Sequence, residues 1–152
     1  MWPEFKGRDG CRTPMPWNSQ AADIGYGDGQ TQAWLPFTEA YRALAVDVQD
    51  KDAHSHLNFY RQLLQWRRTK PVLVHGEQTL LPVHPQVMAF VREHDGQRVL
   101  CAFNFSDQVA SLHLSDTLQA AHTLAVPGLS GGCLSAKTLA FEPYGGLLVQ
   151  LL

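Results

Sequence analysis

The chain has 152 residues, of which 45% are apolar and 17% charged, and its net charge is −2 with histidine neutral. This is a globular composition, which excludes a disordered chain. The small charge and scattered basic residues argue against nucleic acid or an anionic membrane as a partner.

Residues 1 to about 50 carry no period of 2 or 3.6. They are punctuated by Pro3, Pro14, Pro16 and Pro36 and by Gly7, Gly10, Gly25, Gly27 and Gly29, and they hold Trp2, Trp17 and Trp34. A solvated linker has polar, low-complexity composition, whereas large aromatic anchors suit a long loop laid on another surface. The opening residues, Met1-Trp2-Pro3-Glu4-Phe5-Lys6, contain no apolar run of signal-peptide length. No stretch approaches the roughly 20 apolar residues of a membrane span.

Residues 52 to 69 are predicted to be helical. Asp50, Asp52 and Ser55 offer N-cap oxygens. Leu57, Tyr60 and Leu64 form one apolar stripe and Phe59, Leu63 and Trp66 a second, so the helix needs packing partners on two sides. Lys70-Pro71 ends it, because the residue before proline avoids helical dihedrals. The basic cluster Arg67-Arg68-Lys70 then lies at the helix C-terminus, where cations complement the dipole.

Residues 77 to 152 are predicted to be all-β. The candidate strands are Gln86 to Glu93, Arg98 to Phe105, Ala110 to Leu114, Ala121 to Ala125, Thr138 to Phe141 and Gly146 to Leu152. Asp95-Gly96 is a hairpin signal between the first two. Ser115-Asp116, Pro127-Gly128, Gly131-Gly132 and Pro143-Tyr144-Gly145 separate the rest. Short strands at this spacing indicate an antiparallel sandwich, with Val87, Ala89, Val91, Val99, Cys101, Phe103 and Leu148 inward.

Metal and cofactor chemistry find little support. Cys11, Cys101 and Cys133 are far apart with no CxxC pair, which argues against a zinc site or redox dithiol and fits a reducing, cytoplasmic setting. The seven histidines include no i, i+4 helical pair and no HExxH. No GxSxG elbow is present. Gly25, Gly27 and Gly29 alternate but precede no helix, which rejects a dinucleotide loop. No metal and no cofactor is therefore expected. Glycoside hydrolysis takes two carboxyl groups with different protonation behaviour. The nearby acids are Glu4 with Asp9, Asp47 with Asp50 and Asp52, and Glu93 with Asp95. The helix-start set and the hairpin set have sufficient structural explanations, and neither has an obvious pocket to raise one pKa.

The informative segment is Gly7-Arg8-Asp9-Gly10-Cys11-Arg12-Thr13-Pro14-Met15-Pro16-Trp17. Arginine carries a planar fork of donors matched to carboxylate and sugar oxygens. Pro14 and Pro16 restrict the backbone, so Arg12 is presented with little loop entropy. This segment resembles the GRDGxRTPMPW signature of α-glucosidases in the α-amylase superfamily, glycoside hydrolase family 13. Trp34-Leu35-Pro36 followed by Ala43 to Gln49 resembles the family's approach to the last barrel helix. Asn58-Phe59-Tyr60-Arg61 through Trp66-Arg67-Arg68 and Pro71-Val72-Leu73 resembles that helix and its exit. The likeness is strong over residues 1–76 and rests on pattern and position over 77–152.

The resemblance implies a remnant of a (β/α)8-barrel enzyme. Residues 1–76 would be the end of the catalytic barrel domain and residues 77–152 the C-terminal β-domain. It implies that Arg12 reaches the sugar at the bottom of the pocket, and Arg8 and Asp9 are assigned a structural role in holding the loop. The family's nucleophile, acid/base and third aspartate lie upstream of this segment and match nothing here, so no catalytic residue is assigned and the chain alone is expected to be inactive. The implied partners are an α-glucoside oligosaccharide and the missing barrel portion of the same enzyme. Two alternatives stay open: a non-catalytic sugar-binding β-domain, and a subunit completing a split enzyme. The determinants of linkage preference and of transfer chemistry lie upstream.

Overall fold

The structure, a computed structural model, describes residues 11–30, 33–82 and 84–152. The chain divides into two compact units, residues 1–61 and 62–152, with the division inside the longest helix. The architecture is mixed, with an irregular arm and one long helix preceding an antiparallel β-domain.

In the first unit, turns and bends lead to two single-turn helices, α1 (Ala40–Ala43) and α2 (Val46–Gln49), and then to α3 (His56–Arg68). Only one of the three expected capping residues caps α3. The Ser55 Oγ accepts the Asn58 amide at 3.2 Å, which is the N3 bond of a serine N-cap. Asp52 closes a local turn onto the His54 amide at 2.9 Å, and Asp50 pairs with Arg61. These partners, a local turn for Asp52 and an ion pair for Asp50, compete with the cap. Asn58 Nδ2 ties the turn between α2 and α3 together, donating to the carbonyls of Gln49 and Asp52 at 3.0 and 2.8 Å. The helix therefore starts at His56 rather than at 52.

No residue of α3 is buried. Leu57, Phe59, Leu63 and Trp66 are half-buried, whereas Tyr60 is 61% and Leu64 36% exposed. The helix stops at Arg68, where Thr69 Oγ1 donates to the Trp66 carbonyl at 2.7 Å. Pro71 does not merely end a helix. It opens a further one, α4 (Pro71–His75), at a position where its missing N–H costs nothing.

The second unit contains eight strands: β1 (Glu77–Leu80), β2 (Val87–His94), β3 (Gln97–Asn104), β4 (Ala110–His113), β5 (Ala120–Leu124), β6 (Gly132–Ser135), β7 (Thr138–Phe141) and β8 (Gly146–Leu151). They form an antiparallel five-stranded sheet, β1-β2-β3-β8-β5, and a three-stranded sheet, β4-β7-β6. Asp95 and Gly96 both have positive φ, 47° and 74°, as a two-residue hairpin of matching twist requires. Strands β1 and β6 lie outside the predicted set. All four residues of β1 are exposed, so no alternation marks it. Gly132, read in sequence as part of a turn, opens β6.

Of the seven residues expected inward, Val87, Ala89, Val91, Val99, Cys101 and Leu148 are buried, and Phe103 is half-buried. They do not share one face. Val87, Ala89 and Val91 pack with Leu100, Ala102, Leu139, Phe141 and Val149. Val99, Cys101 and Leu148 face the other way, against Val72 and Leu73 of α4. The central strand β3 is thus covered on both sides, which explains its continuous apolar run, Val99-Leu100-Cys101-Ala102. Where β6 and β8 begin, a Cβ on Gly145 would stand 2.1 Å from the Gly131 carbonyl oxygen, so only glycine allows that approach.

Candidate functional site

Arg12 is exposed, and no hydrogen bond or ion pair occupies its guanidinium among the described residues. Beyond it, Thr13, Pro14 and Pro16 are half-buried, while Met15 and Trp17 are 52% and 54% exposed. Trp34 is 85% exposed, so neither described tryptophan of the arm is a core residue of this chain. Arg8, Asp9 and Trp2 lie outside the described residues.

The strap that carries Arg12 is fastened on its C-terminal side by residues distant in sequence. The Pro16 and Trp17 carbonyls accept the amides of Val46 and Asp47 at 3.0 and 3.2 Å. Ser19 donates its amide to Asp47 Oδ1 at 2.8 Å and its hydroxyl to Oδ2 at 2.9 Å. One guanidinium nitrogen of Arg42 donates to the carbonyls of Ser19 and Ala21 at 2.7 and 2.8 Å. Its Nε pairs with Glu39 at 2.7 Å. Ser19 is itself buried. The Ser19 amide and hydroxyl, in that order of weight, hold the Asp47 carboxyl below its ordinary value.

A second knot follows at once. Ile24 is fully buried with φ of 52°, a conformation unusual for a β-branched residue. Its carbonyl accepts two amides, from Trp17 at 2.8 Å and Asn18 at 2.9 Å. The three alternating glycines serve their neighbour Asp23. The amides of Gly25, Gly27 and Gly29 donate to its carboxylate at 2.9, 3.2 and 2.9 Å. The Gly25 bond is the strongest influence lowering the Asp23 pKa. An aspartate followed by glycine at i+2, i+4 and i+6 is a readable signal for this cradle. The Ser19–Asp47 pair spans 28 residues and has no local signal.

None of the described clefts is lined by two carboxyl groups. Glu93 lies 3.5 Å from Arg98 and Asp95 the same distance from His94, both at the β2–β3 hairpin. Asp50 is an exposed ion-pair partner of Arg61. No group of three His, Cys, Asp or Glu residues among the described residues could hold a metal. No described helix is long and apolar enough to cross a membrane. Burial pushes the Cys101 thiol up to about 12, which leaves it unreactive at neutral pH. A cleft of 660 Å³ lies in the β-domain between His84, Gln86, Ser111, Cys133 and Glu142. It presents no exposed aromatic face.

Residues 2–76 match the family model of the α-amylase catalytic domain, and residues 77–147 that of the maltogenic amylase C-terminal domain. A probable α-glucosidase of Rhizobium meliloti (strain 1021) is 41% identical over 75% of this chain and 20% of its own length. An oligo-1,6-glucosidase of Halalkalibacterium halodurans is 35% identical over 68% of this chain and 18% of its own length. The chain thus spans about a fifth of the curated relatives it matches. The crystal structure of the α-glucosyl transfer enzyme XgtA superposes on all of this chain and 28% of its own, with a TM-score of 0.85 and 38% identity. The trehalulose synthase MutB of Pseudomonas mesoacidophila MX-45 covers 95% of this chain with a TM-score of 0.77 and 26% identity.

Proposed function

The chain belongs to the α-amylase superfamily of glycoside hydrolases, family 13, and from that premise we propose that it is the C-terminal portion of an α-glucosidase acting on α-linked gluco-oligosaccharides. Residues 1–76 complete the barrel domain and residues 77–152 form a stabilising β-domain, a division supported by the two family matches meeting at that point. Arg12 enters the sugar pocket, and Arg8 and Asp9 hold the loop before it. The observation that carries this reading is the exposed guanidinium of Arg12, free of partners among the described residues, on a strap fastened by Asp47 and Arg42. A planar fork of donors left uncommitted by the described residues can take sugar hydroxyls or an upstream carboxylate.

The reading assigns no carboxylate of this chain to catalysis. Pure chain is therefore expected to release no p-nitrophenol from p-nitrophenyl α-glucoside, and addition of the barrel portion restores release. In that assembled enzyme Arg12→Lys lowers kcat/KM by about 10²-fold, because a point charge replaces a bidentate contact made in the transition state. Activity of the chain alone, or an unchanged kcat/KM in the variant, refutes the assignment.

The α-glucosyl transfer enzyme that superposes on the whole chain motivates a second reading, in which the assembled enzyme, through determinants upstream of this chain, passes its glucosyl group to an acceptor other than water. Product analysis with and without an added alcohol separates the two. Glucose alone supports hydrolysis, and a new glucoside supports transfer.

A further inference from the structure

We propose that Asp47 and Arg42 are positioning residues that set the presentation of Arg12, an inference that rests on the reading of Arg12 as a pocket arginine. Asp47 uses both carboxylate oxygens on Ser19, at 2.8 and 2.9 Å. Arg42 bridges the carbonyls of Ser19 and Ala21 at 2.7 and 2.8 Å. The amides of Val46 and Asp47 hold the carbonyls of Pro16 and Trp17. The strap is therefore clasped along Pro16 to Ala21 by one short stretch, residues 42–47.

From the clasp to Arg12 runs Thr13-Pro14-Met15-Pro16. Two prolines fix φ near −65° and restrict the residues before them. Such a segment transmits the orientation of its base, whereas a flexible one would lose it. Both oxygens of Asp47 are engaged by Ser19, and Arg42 is divided between two carbonyls, Glu39 and the ring of Phe37, 6.0 Å from its guanidinium carbon. The Asp47 carboxylate and the Nε and Nη1 of Arg42 are thus turned onto their own loop, and each is assigned to act through Arg12. A simple helix-start role for Asp47 accounts poorly for this geometry, because α2 is only four residues long and its carboxylate is turned toward Ser19.

Two measurements test the clasp. In the 152-residue chain, ¹⁵N relaxation of the Arg12 amide should show an order parameter falling from about 0.85 toward 0.6 or below in Asp47→Ala and Arg42→Ala, while amides of β3 stay rigid. An Arg12 amide equally ordered in wild type and both variants overturns the proposal, whatever the activity. In the enzyme assembled with its barrel portion, Asp47→Ala should lower kcat/KM about 10-fold, Asp47→Asn less, and the effect should vanish in an Arg12→Ala background. Losses that add fully in the double variant overturn the proposal and leave the pocket role of Arg12 standing. Unchanged activity in Arg12→Ala alone refutes the pocket reading instead, and the relaxation data then decide the clasp by themselves.

Discussion

Asp23 and Arg12 lie eleven positions apart on one loop and have opposite fates. Arg12 keeps its donors uncommitted within the described residues, whereas Asp23 directs its carboxylate at three backbone amides of its own loop. Those bonds favour the ionised form, so the folded pKa lies below the ordinary value of 3.8. The linkage sign follows. The contribution of Asp23 is fully present above its unfolded pKa and is lost as pH falls through the lower folded value. The ¹H–¹⁵N signals of Gly25, Gly27 and Gly29 should therefore titrate together, with a midpoint below 3.8, and stay unchanged between pH 5 and 7. A midpoint above that value, or three independent titrations, contradicts a shared carboxylate. Asp23→Ala should abolish the common transition.

At the scale of elements, α3 has no fully buried residue, and its first turn carries a defined cap. Ser55 is buried, caps the Asn58 amide, and donates its hydroxyl proton to the Gln49 carbonyl at 2.6 Å. Ser55→Ala should cost about 1 kcal/mol, read as a lower urea midpoint. Asp52→Ala, whose partner is only the exposed turn amide of His54, should cost less than half of that. Equal losses would mean that Asp52 is the working cap. The β-domain behaves differently, because β3 is packed on both faces. Leu100, fully buried between the sheets, should cost about 3 kcal/mol when truncated to alanine. Leu80, 64% exposed on the edge strand β1, should cost less than about 0.5 kcal/mol. Similar costs at the two positions would contradict the observed layering.

For the molecule as a whole, the exposed apolar residues concern the state of the chain without its barrel portion. Trp17, Trp34, Tyr60 and Leu64 are 54%, 85%, 61% and 36% exposed. Each large side chain left in water forgoes about 1.5–3 kcal/mol of burial, against a net domain stability of about 5–15 kcal/mol. The isolated chain should bind a hydrophobic dye. Adding the barrel portion should displace the dye and shift the tryptophan emission to shorter wavelength. Dye binding unaffected by the barrel portion would favour a self-sufficient module.

The family, the long helix and the β2–β3 hairpin are legible in the amino-acid order, because each is written in contiguous residues. The segment Gly7 to Trp17 is a linear motif. Helix periodicity and the Asp95-Gly96 turn are local in the same way, since their physics acts within a few residues. The remaining features come from long-range packing and pairing. The seven residues expected inward belong to two faces, because alternation identifies a buried strand face but not how many layers cover it. Strand β1 pairs with β2 although all four of its residues are exposed, so hydrogen bonding to a neighbour, not hydrophobic pattern, defines it. Ser19 and Asp47 meet across 28 residues because the chain between them folds back, and no propensity of either residue specifies that closure.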